Sequence, residues 1–324
     1  VVGGEAFAVD ASVIQADANR QQGGPGKEGL PPEIMHRRAV REYIETLDDA
    51  AFGGATDKVS PFLSPVDPAA RWTRTRNDGS ARYFYSVNYL IDCENAVIMD
   101  VEGTAAIRTA EVYSTRVMLD RVAARNDIKP QRLSGATAYG TAEMLNWHVK
   151  ERGIEPRITV IDKSARKDTL FERSDFTYDP EQERYICPAG KDLVQYRIAG
   201  RRAKAKPPKD GRYKYRSKKS DCDVCPLKPK CCPKLPQRRV QRSIHEDARD
   251  VARRIAASDA YLVSSCERKK VEMLFAHLKR ILKLDRLRLR GPNGAKDEFL
   301  LAATAQNLRK LAKLSIQGAL PVAG

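Results

Sequence analysis

Residues 6–15, AFAVDASVIQ, are apolar and rich in Val, Ile and Ala except for one acid, Asp10, and the pattern predicts a short strand. A Gly/Pro-rich break, QQGGPGKEGLPPE, follows, and then a helical pattern from about residue 33 to 51. In RYFYSVNYLIDCENAVIMDVEGT two β-rich runs flank a polar turn at Asp92–Asn95, which predicts a hairpin. Apolar Val112, Val117, Leu119 and Val122 predict a helix over 109–125. RLSGATAYG reads as a strand ending in small residues, TAEMLNWHVKERG as a helix stopped by Gly153, and EPRITVIDKS as another strand. From 163 to 242 periodicity fails, and Pro, Cys, Lys and Arg dominate. Helical patterns return in HEDARDVARRIAASDAYL, ERKKVEMLFAHLKRILKL and KDEFLLAATAQNLRKLAKL. Strands interleaved with helices predict an α/β fold with a mixed sheet. The expected organisation is a core begun by residues 1–162, an insertion over 163–242, and a helical part over 243–324 that completes the core.

Composition changes this picture in two places. The 324 residues carry a net charge of +16, which points to a polyanionic partner, nucleic acid ahead of an anionic membrane. Most of the excess is local: between Arg197 and Arg242, seventeen Lys or Arg stand against three Asp. RIAGRRAKAKPPKDGRYKYRSKKS is therefore expected to be a DNA-binding arm. Arg201, Arg202, Lys204, Arg212, Lys214 and Arg216 would neutralise phosphates there, and the alternating Tyr213 and Tyr215 would add stacking. A solvated basic loop without a specific role is the bland alternative.

The second place is cysteine. Five of the seven cysteines fall between 187 and 232. Cys222-x2-Cys225-x5-Cys231, with Cys187 upstream, has the spacing of four thiolates around one structural zinc, and Cys232 is able to replace Cys231. An iron–sulfur cluster or unligated thiols are the other readings. An odd cysteine count with no secretory signal at VVGGEAFAVD argues for a reducing, cytoplasmic compartment. No run approaches the ~18 apolar residues of a membrane span, so no membrane association is expected.

Two acids carry the remaining chemistry. In VEMLFAHLKR, Val271, Leu274, Phe275, Leu278, Ile281 and Leu282 recur at helical spacing and predict a buried stripe. On one flank Arg268, Glu272 and Lys279 fall within roughly 60° of one another. Cation, carboxylate, cation suits a divalent metal held against a phosphate, while a solvated face with i−4 ion pairing explains the same residues. Asp10 is costly inside a strand core unless paired or metal-bound.

FAVDASVIQADANR, the hairpin, TAYGTAEML, FTYDPEQERYICPAGK with CDVCPLKPKC, and R-x3-E-x6-K together resemble bacterial insertion-sequence transposases of the DDE type, in the subgroup with a cysteine-containing insertion. The resemblance implies an RNase H-like fold, with a five-stranded mixed sheet flanked by helices. It further implies Mg²⁺ or Mn²⁺ at three acids, double-stranded DNA as partner, assembly as a homo-oligomer on that DNA, and a nucleoid location. The first acid falls on Asp10 and the last on Glu272. The second position, at the end of the strand before TAYG, holds Ala136, which has no ligand atom. A decayed copy, a deliberately inactivated one, or a site rewired through Asp162 would account for it. Ser265 stands where the family often has Tyr, and the region that usually precedes the first acid is expected to be missing. The resemblance implies DNA cleavage and strand transfer, impaired here. An inactive, element-derived DNA-binding protein and a metal-dependent nuclease are the alternatives.

Overall fold

The computed structural model describes residues 2–75, 79–161, 170–196, 208 and 210–316. Two compact units divide the chain: Val1–Gly140, Trp147–Thr159 and Ala252–Gly324 make the first, and Thr141–Asn146 with Val160–Val251 the second. Among the described residues no helix is long and apolar enough to cross a membrane.

The first unit is built on a six-stranded mixed sheet. Its middle strand is β1 (Ala6–Gln15). The hairpin strands β3 (Ala81–Asp92) and β4 (Ile98–Ala105) lie on one side, preceded in sequence by β2 (Arg71–Arg74). β3 runs antiparallel to β1, and its other edge pairs with β2 and then β4. On the opposite side of β1, β5 (Arg132–Gly135) pairs parallel from Ala6↔Arg132 to Val9↔Gly135, and β6 (Glu155–Ile158) pairs parallel to β5. Side chains alternate between faces along each strand. Tyr85, Val87, Tyr89 and Ile91 of β3 therefore share one face, and with Ala8 and Ile14 of β1 they form a core.

Two C-terminal helices cover that face: α7 (Asp259–Arg280) brings Val271, Phe275 and Leu278, and α8 (Gly291–Ile316) brings Phe299. Phe275 stacks on Tyr89 with ring centroids 4.8 Å apart and planes 18° from parallel. The predicted stripe stops short of Ile281 and Leu282, which lie past the helix end and are exposed. Against the other side of the hairpin packs α2 (Arg108–Asn126), closed by Asp127 in the left-handed conformation.

Several element boundaries differ from expectation. The helix expected over 33–51 is a 3-10 turn at Pro32–Ile34 and then α1 (Arg38–Glu45), separated by extended backbone at Arg37. TAEMLNWHVKERG contains α3 (Ala142–Asn146) and a π-helical turn, Trp147–Arg152, and Gly153 takes a positive φ as the stop. HEDARDVARRIAASDAYL is two helices, because Ser258 is extended between α6 (Glu246–Ala256) and the start of α7. Asp92, expected as a simple turn residue, is buried and accepts from the backbone N–H groups of Gly3, Gly4 and Asn95.

Although periodicity fails over 163–242, the second unit has a core of its own. Five antiparallel strands, β7 (Thr177–Asp179), β8 (Arg184–Ile186), β9 (Asp192–Gln195), β10 (Arg212–Arg216) and β11 (Arg239–Ser243), form a sheet in chain order. One face buries Tyr185, Leu193, Tyr215 and Val240 together with Phe176, Cys222 of α4 (Lys219–Asp223), Cys231 of α5 (Lys228–Cys231), and Cys232. The strands are three to five residues long, with Arg or Lys at alternate positions in β10, so the apolar half of each is too brief to register as a period.

Candidate functional site

Asp10 lies one residue beyond the last rung of the β1–β5 ladder, Val9↔Gly135. Across the sheet it pairs with Tyr89, and paired residues project to the same side, so Asp10 shares the face that α7 covers. Its Oδ1 accepts from the Ala11 N–H at 2.9 Å. From α7, one turn before Phe275, Glu272 approaches, held by an ion pair with Arg268 at 3.3 Å. Burial raises the Asp10 carboxyl above its ordinary value. The Ala11 N–H and the Arg268 charge oppose that rise, and the charges of Glu272 and Glu111 reinforce it. The structure thus brings Asp10, Arg268 and Glu272 into one electrostatic neighbourhood. Lys279 is a separate matter: burial lowers its amine, and the acid whose charge it feels is Asp285.

Ala136 is the first residue after β5, so it stands level with Asp10 on the parallel neighbour. An acid there would be about 4.8 Å away, one strand spacing. Its carbonyl accepts from Tyr139 N–H at 2.9 Å and starts a 3-10 turn over Thr137–Tyr139. Asp162, the other acid considered, lies outside the described residues.

Sequence reasoning missed Glu111 and Tyr139. In the first turn of α2, Glu111 accepts from Ser86 Oγ of β3 at 2.7 Å. The Tyr139 hydroxyl is buried with no hydrogen-bond partner among the described residues. Burial, then the charges of Asp10 and Glu111, hold that phenol well above its usual value. Glu111 gave no signal because an acid in the first turn of a helix is ordinary. Among the described residues no set of three or more His, Cys, Asp or Glu is arranged to hold a metal ion.

In the second unit Cys222, Cys231 and Cys232 are buried in one cluster and Cys187 packs at its edge. Cys232 takes the place in this group expected for Cys225. Cys225 lies outside the cluster, its N–H bonded to Cys222 O at 3.3 Å. Ser217 Oγ sits 3.0 Å from Cys222 Sγ, and Cys187 Sγ accepts from Lys191 N–H. Burial pushes the Cys231 thiol up to about 12, with the neighbouring Cys232 adding to it. The Cys231 and Cys232 thiols, both raised first by burial, keep their protons unless a cation replaces them.

Arg212, Lys214 and Arg216 alternate along β10 and share its outward face, while Arg201, Arg202 and Lys204 lie outside the described residues. The expected stacking role of Tyr213 and Tyr215 is not met. The strand period turns both rings inward, Tyr215 into the core and Tyr213 against it. Of the histidines, His148 is buried and His277 lies at the surface of α7 beside Gln306 and Arg309.

Residues 186–312 match a family model described as the transposase DDE domain. The match supports a DDE-type transposase. Such a family implies DNA as substrate and transposition as the reaction. Glu272 and its flanking Arg268 and Lys279 lie inside the matched span, as do all the described cysteines from Cys187 to Cys266, whereas Asp10 and Ala136 precede it. No curated protein and no solved structure matches the chain.

Proposed function

We propose that the chain is the catalytic region of a DDE transposase with an RNase H-like core, in which Asp10 and Glu272 are the first and last acids and the second is lost at Ala136. The observation that carries this is the register. Asp10 and Ala136 follow the last β1–β5 rung side by side, and Glu272 projects from the helix packed on the same face. The sheet order β4-β3-β1-β5-β6, with β3 antiparallel to β1 and both β5 and β6 parallel to it, supports the RNase H-like reading.

Asp10 and Glu272 would be the divalent-ion ligands of an intact site, with Arg268 holding Glu272 in place and orienting a phosphate. The donor set present is incomplete, so this copy is expected to cleave and join DNA weakly or not at all. Substituting Ala136→Asp tests this. The expected outcome is tighter Mn²⁺ binding, read by titration calorimetry, together with a gain in cleavage and strand transfer of duplex carrying element ends. Full activity in the unsubstituted chain would sink the impairment, and hydrolysis without joined products would favour a nuclease. Zinc at the buried thiols is the companion reading. It is supported by the spacing Cys222-x2-Cys225-x5-Cys231 with Cys187 upstream.

A further inference from the structure

The outward face of the second unit's sheet is electrically lopsided. At its β7–β9 end Arg184 is held between Asp179 at 3.2 Å and Asp192 at 2.6 Å, so cation and acid cancel. At the β10–β11 end Arg212, Lys214, Arg216 and Arg239 all project outward, because their strand neighbours Tyr213, Tyr215 and Val240 project inward. Among the described residues one acid answers these four cations: Asp210 pairs with Lys214 at 2.9 Å. Arg212 reaches the neutral Gln241 across the ladder, and Arg216 lies 4.7 Å over the Tyr196 ring. Arg216 and Arg239 stand directly opposite each other, and neither forms an ion pair among the described residues. Like charges at opposed positions destabilise a sheet, so the fold carries a cost that a polyanion relieves.

We propose that the β10–β11 face is a docking surface for the phosphate backbone of duplex DNA, through Arg212, Lys214, Arg216 and Arg239. Along β10 the cations recur about every 6.8 Å, and Arg239 adds a second row about 4.8 Å away. The face is flat. Its aromatic ring, Tyr196, lies under Arg216, and the other tyrosines point inward, which removes the free stacking platforms that single strands need. Contacts of this kind hold phosphates and read no base. Arg239 was not among the expected contacts. It lies more than twenty residues along the chain from Arg216 and joins it only through the ladder.

The inference rests on DNA being the substrate, and one binding experiment separates the two. The full chain is titrated with a random-sequence duplex by fluorescence anisotropy, across a salt series and without added divalent cation. The Arg212→Gln, Lys214→Gln, Arg216→Gln, Arg239→Gln variant is expected to lower the slope of log affinity against log salt by roughly 3–4, about 0.9 per lost phosphate contact. Arg184→Gln, on the neutral end, leaves the slope unchanged. Arg239→Glu should weaken binding while raising the thermal midpoint, a pairing that a merely structural arginine would not give. No duplex binding by the parent chain overturns the DNA reading itself. Binding that the four substitutions leave intact, or an equally tight and equally affected single strand, overturns the docking face as assigned.

Discussion

His148 and Asp67 are buried titratable groups whose environments push stability in opposite directions with pH. Both ring nitrogens of His148 are buried without a hydrogen-bond partner among the described residues, and burial lowers its pKa from the ordinary 6.5 to about 3. The folded state therefore demands a neutral ring. Its contribution is complete above about pH 6.5 and is lost as pH falls toward 3. His148→Leu should flatten the loss of thermal stability between neutral pH and pH 5, measured by circular dichroism. Asp67 behaves oppositely. Burial raises its carboxyl to about 6, against the hydrogen bonds from Tyr85 Oη and the Gly291 N–H. A raised carboxyl favours the folded state at low pH, and that advantage is lost as pH climbs from about 4 through 6. Asp67→Asn should remove the decline over that window. Neither environment is legible from sequence, since a single His in a helical pattern and an Asp in the Gly/Pro-rich stretch FGGATDKVSPFLSPVDP carry no sign of burial.

The elements that hold the candidate site were legible to different degrees. β1 and the β3–β4 hairpin announce themselves because their β-branched and aromatic residues are buried for many consecutive positions. Asp10 stood out for the same reason, as an acid in an apolar run. The five strands of the second unit did not, since each is brief and the basic residues on the outer face mask the inner pattern. Without a recognisable strand period, Tyr213 and Tyr215 read as exposed. Glu111 became visible only when α2 packed on β3. At this scale α7 packs through Val271, Phe275 and Leu278, and Phe275 lies over Tyr89, whose hydroxyl donates to Gln306 of α8. Phe275→Ala should cost about 3–5 kcal/mol in urea unfolding. It should also blunt any function of Glu272, which the same helix carries.

Across the whole molecule, the two units have separate cores and so separate susceptibilities. If zinc binds the thiol cluster, purified protein should hold about one equivalent. A chelator should then lower the transition of the second unit and leave that of the first in place, as calorimetry would resolve. Less than about half an equivalent would defeat the metal reading. The first unit, meanwhile, is discontinuous in sequence: its sheet is complete by Ile158, but α7 and α8, which cover one face, come only after the entire second unit. A ribosome adding about 5–20 residues per second needs roughly 4–15 s to make the stretch from Ala252 onward. During synthesis the second unit can therefore fold while Tyr85, Val87 and Tyr89 still lack their cover. That interval, when an apolar sheet face waits for the helices that will cover it, is when the nascent chain most needs a chaperone.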